Sequence, residues 1–308
     1  MLSDLPKVLH EICGRPMLSF VFNACRAAGV DRLISVVGYG KEQVVERFAA
    51  EHDVEWVDQT EQRGTGHAVL CCREALKGFT GTVLVIAGDM PLVRREVLAE
   101  LVEERERSGD ALTLATTTLD DPAGYGRIVR DDKGRLTGIV EHRDCNEAQR
   151  SIREVNVSYY CFDADRMFTA LKKIEPESTK GEYYLTDTVR ILRDGGHGVS
   201  ATVKVAPEDA LGINSRIDLA LVGRAMQDRL QRALVEEGVT IVDPDNTWIE
   251  ADVSIGADTT VFPFTFIGAG ATIGERSRIG PFACVRPGET LDDGAVVGSI
   301  VMNGVAET

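Results

Sequence analysis

Up to about residue 212, runs of apolar residues alternate with segments whose apolar positions recur at helical spacing. The predicted elements are strands at 33–40, 81–88 and 110–119 and helices at 41–52 and 93–108. Continuous apolar strands separated by helices are typical of a mostly parallel sheet that is covered on both faces. We therefore predict an α/β domain over residues 1–212, with ligands at the carboxyl ends of its strands.

A different pattern begins near residue 213. Apolar residues at helical spacing run from Asn214 to Glu237 and predict one long helix, which Gly238 is placed to end. The apolar stripe of this helix consists of Leu219, Val222, Met226, Leu230 and Leu234. We assign residues 213–250 to a connecting helix and linker.

From Val253 onward the sequence repeats every six residues, and the third position of each hexad is aliphatic. These positions are Ile255, Val261, Ile267, Ile273, Ile279, Val285, Leu291 and Val297, and only Asn303 departs from the pattern. A parallel β-helix produces this period, because each hexad forms one short strand and points one side chain into the core. We predict a short β-helix over residues 251–308, whose open strand edges favour pairing with other subunits.

Charge and cysteine usage exclude several classes of protein. The 308 residues carry a formal net charge of -15 without any Lys/Arg cluster, which argues against nucleic-acid binding. The seven cysteines are scattered and never spaced C-x-x-C, so we expect free thiols in a reducing compartment. No apolar run approaches the roughly 18 residues of a membrane span, and there is no secretory signal, so we predict a cytoplasmic protein without a membrane partner.

Two segments carry residues suited to nucleotide chemistry. A Gly-Thr-Gly turn at 64–66 precedes an apolar helix, whose free N–H groups can hold a base edge or a phosphate. A plain connection between a strand and a helix has the same pattern. Asp89 follows an apolar strand, where a carboxylate is suited either to Mg²⁺ bound to phosphate oxygens or to a turn.

Four further segments, at 124–128, 138–144, 154–160 and 181–187, place glycine or aromatic residues beside polar ones. A sugar ring needs carboxylate, hydroxyl and amide partners, and Glu141 and Asn156 are residues of this kind. A solvated loop explains Glu141 equally well.

In their order along the chain, these segments resemble a known family. The matching stretches are SDLPKVLH, EQRGTGHA, GDMPL, DPAGYGRI, GIVEHRD and EYYLTD, followed by Asn214 and the hexapeptide repeats. They are similar to the bacterial bifunctional N-acetylglucosamine-1-phosphate uridylyltransferases and glucosamine-1-phosphate acetyltransferases. The resemblance implies a Rossmann-like nucleotidyltransferase domain, a connecting helix and a left-handed β-helix that forms a homotrimer. It also implies Mg²⁺-dependent synthesis of UDP-N-acetylglucosamine, a cell-wall and lipopolysaccharide precursor, from UTP and N-acetylglucosamine-1-phosphate.

The resemblance further implies roles for individual residues. Lys7 and Asp89 would be catalytic, with Lys7 on the substrate phosphates, while Asp89 and Asn214 would hold Mg²⁺. The uracil pocket would consist of Gln59, Gly64 and Thr65, with Gly88 at its border. The sugar pocket would consist of Gly126, Glu141, Asn156, Tyr184 and Thr186.

The chain departs from the family pattern at three places. Val157 and Ser158 follow Asn156, where the family has Thr-Gly. Only Arg286 matches an acetyltransferase position before the repeats end at Thr308, so we expect no acetyl transfer from this chain. The family's first strand and its G-x-G-T-R-M loop have no counterpart before SDLPK, so we expect the natural chain to begin upstream of this sequence.

Two alternatives remain open at this point. Selectivity for the sugar rests on few residues, so an enzyme acting on another sugar-1-phosphate would carry the same motifs. The absence of the phosphate-binding loop also fits a non-catalytic sugar-nucleotide binder or trimeric scaffold.

Overall fold

A computed structural model describes residues 3–176 and 181–298, whose contacts divide into two compact units. The first, called here the α/β unit, contains residues 3–9 and Leu18–Gly212. The second, called the β-helix unit, contains His10–Met17 and the described residues from Ile213 onward. Within the described ranges, no helix is long and apolar enough to cross a membrane.

The predicted alternation of strands and helices is present in the α/β unit. A 3-10 turn (Lys7–Leu9) belongs to this unit, whereas the hairpin of β1 (Glu11–Ile12) and β2 (Arg15–Pro16) that follows it belongs to the β-helix unit. The following strands are β3 (Leu33–Val37), β4 (Val54–Asp58), β5 (Thr82–Ile86), β6 (Leu112–Thr118), β7 (Arg127–Arg130), β8 (Leu136–Val140), β9 (Glu154–Asp163) and β10 (Val199–Lys204). The helices are α1 (Met17–Ala27), α2 (Lys41–Arg47), α3 (Thr65–Cys71), α4 (Arg95–Ser108), α5 (Glu147–Arg150), α6 (Ala164–Leu171) and α7 (Asp187–Asp194).

The α/β class is confirmed, but the main sheet is mixed rather than mostly parallel. Its order is β10-β6-β9-β7-β8, with β5 also paired to β9. The β10–β6 pair is parallel, whereas β9 is antiparallel to β5, β6 and β7. The hairpin β7–β8 reverses the chain once between β6 and β9, so β9 enters opposite to β6. The pattern of apolar residues does not indicate the direction of a strand, so this difference was not predictable from it. Strands β3 and β4 form a separate parallel pair.

Strand β9 shows why this sheet is covered on both faces. Val157, Tyr159 and Cys161 belong to one hydrophobic cluster, which also contains the α4 residues Leu98 and Leu101. Tyr160 and Phe162 belong to a second cluster together with residues of α6 and α7. Successive side chains of a strand point to opposite faces, so apolar residues at every position require a layer on each side.

The cysteines agree with their expected role as small buried side chains. All seven are free thiols, and the buried ones are Cys13, Cys25, Cys72, Cys145 and Cys161. Burial raises the pKa of Cys25 to about 11, which keeps this thiol protonated and unreactive near neutral pH.

The β-helix unit contains the predicted long helix, α8 (Arg216–Glu236). Its strands are β11 (Thr240–Ile241), β12 (Thr247–Ile249), β13 (Ser254–Ile255), β14 (Thr260–Val261), β15 (Thr265–Ile267), β16 (Thr272–Ile273), β17 (Arg278–Ile279), β18 (Cys284–Val285), β19 (Thr290–Leu291) and β20 (Val296–Val297). They form three parallel sheets, ordered β11-β14-β17-β20, β12-β15-β18 and β13-β16-β19. Each sheet therefore takes every third strand, as the hexapeptide period predicts.

The β-helix begins earlier than the predicted boundary at residue 251. Strands β11 and β12 pair with β14 and β15, so residues assigned to a linker already form sheet. The hexad pattern is obscured there because two extra residues separate β11 from β12: Ile241 pairs with Val261, 20 residues further on, whereas Ile249 pairs with Ile267, 18 residues further on. From Ile255 to Val285 the third-position side chains are at most 4% exposed, as the predicted core requires. Asn303, the position that departs from the pattern, lies outside the described residues.

Candidate active site

The predicted catalytic pair meets beyond the carboxyl end of strand β5. Lys7 Nζ donates a hydrogen bond to Asp89 Oδ2 at 2.5 Å, although 82 residues separate them in sequence. The side chains are 34% and 28% exposed, so the pair is accessible to a ligand. A Cβ at Gly88 would lie 3.2 Å from Leu18 Cδ1, so a larger residue would press on helix α1.

The predicted uracil loop lies at the start of helix α3 and is hydrogen-bonded to residues of the segment that precedes α7. Gly64 has a φ of 93°, and a Cβ there would lie 2.7 Å from Tyr183 O, so the turn requires glycine. Gly66 N donates to Tyr183 O at 2.8 Å. Leu185 N donates to Thr65 Oγ1 at 3.1 Å, so this segment fixes the loop from one side.

The side chain of Gln59 is held within the same loop. Gln59 follows β4, and its Nε2 lies 3.0 Å from Gly64 O and 3.1 Å from His67 Nδ1. The ring of His67 lies 6.3 Å from the ring of Tyr183, centroid to centroid. His67 and Tyr183 were not predicted from the sequence, where the signal for them is their position beside the Gly-Thr-Gly turn and Tyr184.

Three of the predicted sugar-pocket residues lie together. Thr186 Oγ1 donates to Glu141 Oε1 at 2.9 Å, and a Cβ at Gly126 would lie 3.6 Å from Glu141 Oε2. Burial raises the pKa of the Glu141 carboxyl, and the hydrogen bond from Thr186 partly offsets that rise. Tyr184 is half-buried two places before Thr186. The predicted sugar pocket therefore contains a desolvated carboxyl group beside Gly126, where a Cβ would lie 2.9 Å from Ile139 Cγ2, so a larger residue would press on strand β8.

Asn156 adjoins this group through its backbone, but its side chain is committed to internal partners. Asn156 N donates to Gly126 O at 2.9 Å. Its Nδ2 donates to Tyr160 Oη at 2.6 Å, and its Oδ1 accepts from Ser158 N at 3.1 Å. Ser158 has a φ of 58°, the left-handed conformation that glycine adopts without strain. This explains why glycine is the family's residue at that position.

Asn214 belongs to the β-helix unit, whereas Asp89 belongs to the α/β unit. Asn214 N and Ser215 N both donate to Asp218 Oδ2, at 2.8 and 2.7 Å, in the capping box of α8. Its role as a metal ligand stays a prediction.

The donor chemistry of Asp89 fits Mg²⁺ that arrives with a nucleotide. No group of three His, Cys, Asp or Glu side chains suited to a metal occurs in the part of the chain that the structure describes. Such a group is not required, because Mg²⁺ commonly takes one or two protein carboxylates and completes its shell with phosphate and water.

Comparison with known proteins identifies relatives of both units. The MobA-like NTP transferase domain matches residues 1–156, and six bacterial transferase hexapeptide repeats match residues 246–287. The bifunctional protein GlmU of Pelotomaculum thermopropionicum is 45% identical over 86% of this chain and 58% of its own length. The same protein of Geobacillus thermodenitrificans is 43% identical over 87% of this chain and 58% of its own length.

A solved structure shares the fold. The crystal structure of UDP-glucose pyrophosphorylase bound to UDP-glucose has a TM-score of 0.57 and 17% identity, over 73% of this chain and 91% of that one. The chain spans 58% of the length of the curated relatives it matches. The resemblance seen in the sequence motifs is therefore confirmed: the chain belongs to the MobA-like NTP transferases, within the family of the bifunctional protein GlmU.

Proposed function

We propose that the chain transfers UMP from UTP to N-acetylglucosamine-1-phosphate in the cytoplasm, yielding UDP-N-acetylglucosamine and pyrophosphate. The observation that carries this proposal is the contact between Lys7 and Asp89 at 2.5 Å, which puts a cation and a carboxylate at one strand end. A lysine suits phosphate oxygens, and a carboxylate suits the metal that accompanies a nucleotide.

The reaction needs alignment and charge neutralisation rather than a covalent intermediate. A phosphate oxygen of the sugar-1-phosphate attacks the α-phosphorus of UTP, an oxygen–phosphorus bond forms, and the bond to the β-phosphate oxygen breaks. Since the nucleophile is already anionic, no general base is required. Lys7 would pair with the phosphate charge, and the loop of Gln59, Gly64 and Thr65 would orient the base.

Asp89 would hold Mg²⁺, which when bound offsets the negative charge of the triphosphate. In the structure, the Lys7 ammonium group forms an ion pair with the Asp89 carboxylate. In the substrate complex we expect Lys7 to turn to a phosphate and leave this carboxylate to the metal.

Glu141, Thr186 and Gly126 would form the acceptor site, with Asn156 and Tyr184 beside them. A buried carboxyl group is suited to sugar hydroxyl groups, because it accepts hydrogen bonds that water would otherwise supply. An enzyme for another sugar-1-phosphate is the alternative, and the relatives named bifunctional protein GlmU do not favour it.

The test is pyrophosphate release by the full chain with UTP, Mg²⁺ and each of three acceptors. These are N-acetylglucosamine-1-phosphate, glucosamine-1-phosphate and glucose-1-phosphate. We expect the first to give the highest kcat/KM and a product with the mass of UDP-N-acetylglucosamine. Higher kcat/KM with another acceptor would replace the proposed substrate, and no release with any acceptor would overturn the proposed reaction.

We also propose that the β-helix unit assembles a homotrimer. Its hexapeptide repeats are of the kind found in trimeric transferases, and the β-helix includes coils from Thr240 onward. Light scattering of the full chain should give three times the 33.5 kDa protomer mass, and a monomer or dimer mass would contradict this assembly.

A further inference from the structure

The side-chain amide of Gln59 has a determined orientation. Gly64 O can only accept a hydrogen bond, so the Gln59 atom 3.0 Å from it must be the amide nitrogen rather than the amide oxygen. The same nitrogen lies 3.1 Å from His67 Nδ1. Both N–H groups of Gln59 are therefore used inside the protein.

This arrangement also determines the state of His67. Its Nδ1 must carry a lone pair to accept from Gln59, so the ring hydrogen of the neutral imidazole lies on Nε2. Among the described residues, none donates to Gln59 Oε1, and the side chain is half-buried. The amide oxygen is thus the open hydrogen-bonding atom of Gln59.

We propose that His67 is a positioning residue that makes Gln59 a hydrogen-bond acceptor toward the base and thereby selects uracil over cytosine. The proposal rests on the proposed use of UTP. The N3 atom of uracil carries a hydrogen and can donate to Gln59 Oε1. The N3 atom of cytosine carries a lone pair, which would face another lone pair.

His67 is well placed to hold this orientation. It lies in the first turn of α3, and its ring is near Tyr183, whose carbonyl is bound by Gly66 N at 2.8 Å. For Gln59 to present its N–H groups to a base, the amide would have to turn over. Its oxygen would then face Gly64 O and the lone pair of His67, so two hydrogen bonds would be lost.

The experiment compares the wild type with His67→Leu and His67→Asn, using Mg-UTP and Mg-CTP. Leucine removes the acceptor, whereas the asparagine oxygen lies near the position of Nδ1 and keeps it. Binding is measured by calorimetry, and kcat and KM by pyrophosphate release. Thermal melts check that both variants are folded.

We expect the wild type to prefer UTP by about 10- to 100-fold, the range of one mismatched polar contact. His67→Leu should lose most of this ratio, chiefly through a higher KM for UTP, with kcat changed by less than about two-fold. His67→Asn should restore the ratio. In the wild type, nitrogen NMR should place the His67 ring hydrogen on Nε2.

Several results would overturn the positioning role. One is a preference for UTP over CTP in His67→Leu equal to that of the wild type, and another is an equal loss of this preference in both variants. A His67 ring hydrogen on Nδ1, or a wild type that does not prefer UTP, would also contradict it. Preferential UTP binding that His67→Leu relaxes, without pyrophosphate release, would support the positioning role and contradict only the proposed reaction.

Discussion

The β-helix unit and the α/β unit differ in how far apart in sequence their defining contacts lie. In the β-helix, Ile255 pairs with Ile273, and Ile273 pairs with Leu291, so one short period sets the register of these strands. In the α/β unit, the contact that defines the site joins Lys7 to Asp89 across 82 residues. A local repeat therefore builds the β-helix, while the candidate active site depends on long-range pairing.

The first prediction tests whether the site depends on that one long-range pair. Lys7→Gln should lower kcat/KM by about 100- to 1,000-fold, because it removes a cation from the transition-state phosphate. The matched control is Lys41→Gln, since Lys41 also pairs with an aspartate, Asp58, at 2.5 Å. Steady-state pyrophosphate release should leave the control within about two-fold of the wild type. Equal losses in both variants would show that a generic ion pair, not the site, had been removed.

A second prediction concerns the repeat that builds the scaffold. Ile267 is fully buried in the β-helix core, so Ile267→Ala should lower the free energy of unfolding by about 2–5 kcal/mol. Val296, at the second position of a later hexad, is 78% exposed, and Val296→Ala should change the free energy of unfolding by less than about 0.5 kcal/mol. Urea unfolding measures both values. Similar losses for the two would mean that the third hexad position does not define the core.

A third prediction uses a charged cluster that joins four strands of the main sheet. Burial would raise the pKa of Glu154, but hydrogen bonds from Arg130, Lys204 and Thr116 lower it to about 2 from a model-peptide value of 4.5. Because the folded-state pKa is the lower one, the carboxylate stabilises the fold above pH 4.5, and this contribution is lost as the pH falls toward 2. The shift corresponds to about 3 kcal/mol.

Glu154→Gln should therefore lower the free energy of unfolding at pH 7 by about 3 kcal/mol. It should also remove the loss of stability that the wild type shows as the pH falls below 4.5. The control is Glu55→Gln in the exposed pair with Arg32, which should cost less than about 1 kcal/mol. Urea unfolding at pH 7, 4 and 3 separates the two. An unchanged pH dependence in Glu154→Gln would contradict this account of the cluster.

The smallest expected effect is at the acceptor site. Thr186→Val removes the 2.9 Å hydrogen bond to Glu141 and should raise the pKa of that carboxyl further. We expect the KM for N-acetylglucosamine-1-phosphate to rise about 5- to 10-fold, since one hydrogen bond contributes about 1 kcal/mol. Thr169→Val is the control, because the hydroxyl of Thr169 donates to Asp165 O within helix α6 and makes no other hydrogen bond among the described residues. An unchanged KM in Thr186→Val would remove Thr186 from the acceptor site.

Local patterns predicted most of the elements but not their arrangement. The hexad positions placed the β-helix strands at the correct residues, because period and burial have the same local cause. The direction of β9 depends on one hairpin reversal, which apolar patterning does not encode. The sheet was consequently predicted as mostly parallel, and it is mixed.

The site shows the same limit at the level of single residues. The resemblance to a family pointed to Lys7 and Asp89, and the structure brings their side chains together. It did not point to His67, whose contact with Gln59 depends on the fold of the loop between them. In the sequence, Ser158 is only a departure from the family pattern, whereas the structure shows that its φ is positive.

The most direct test of the central claim is pyrophosphate release from UTP and N-acetylglucosamine-1-phosphate by the wild type and by Asp89→Asn. The substitution removes one charge and little volume, so the circular dichroism spectrum and the melting temperature should remain close to those of the wild type. We predict turnover by the wild type and a loss of at least about 1,000-fold in Asp89→Asn, because both the metal and Lys7 lose their carboxylate partner. If Asp89→Asn turned over the substrates as fast as the wild type does, the catalytic role of Asp89 would be contradicted.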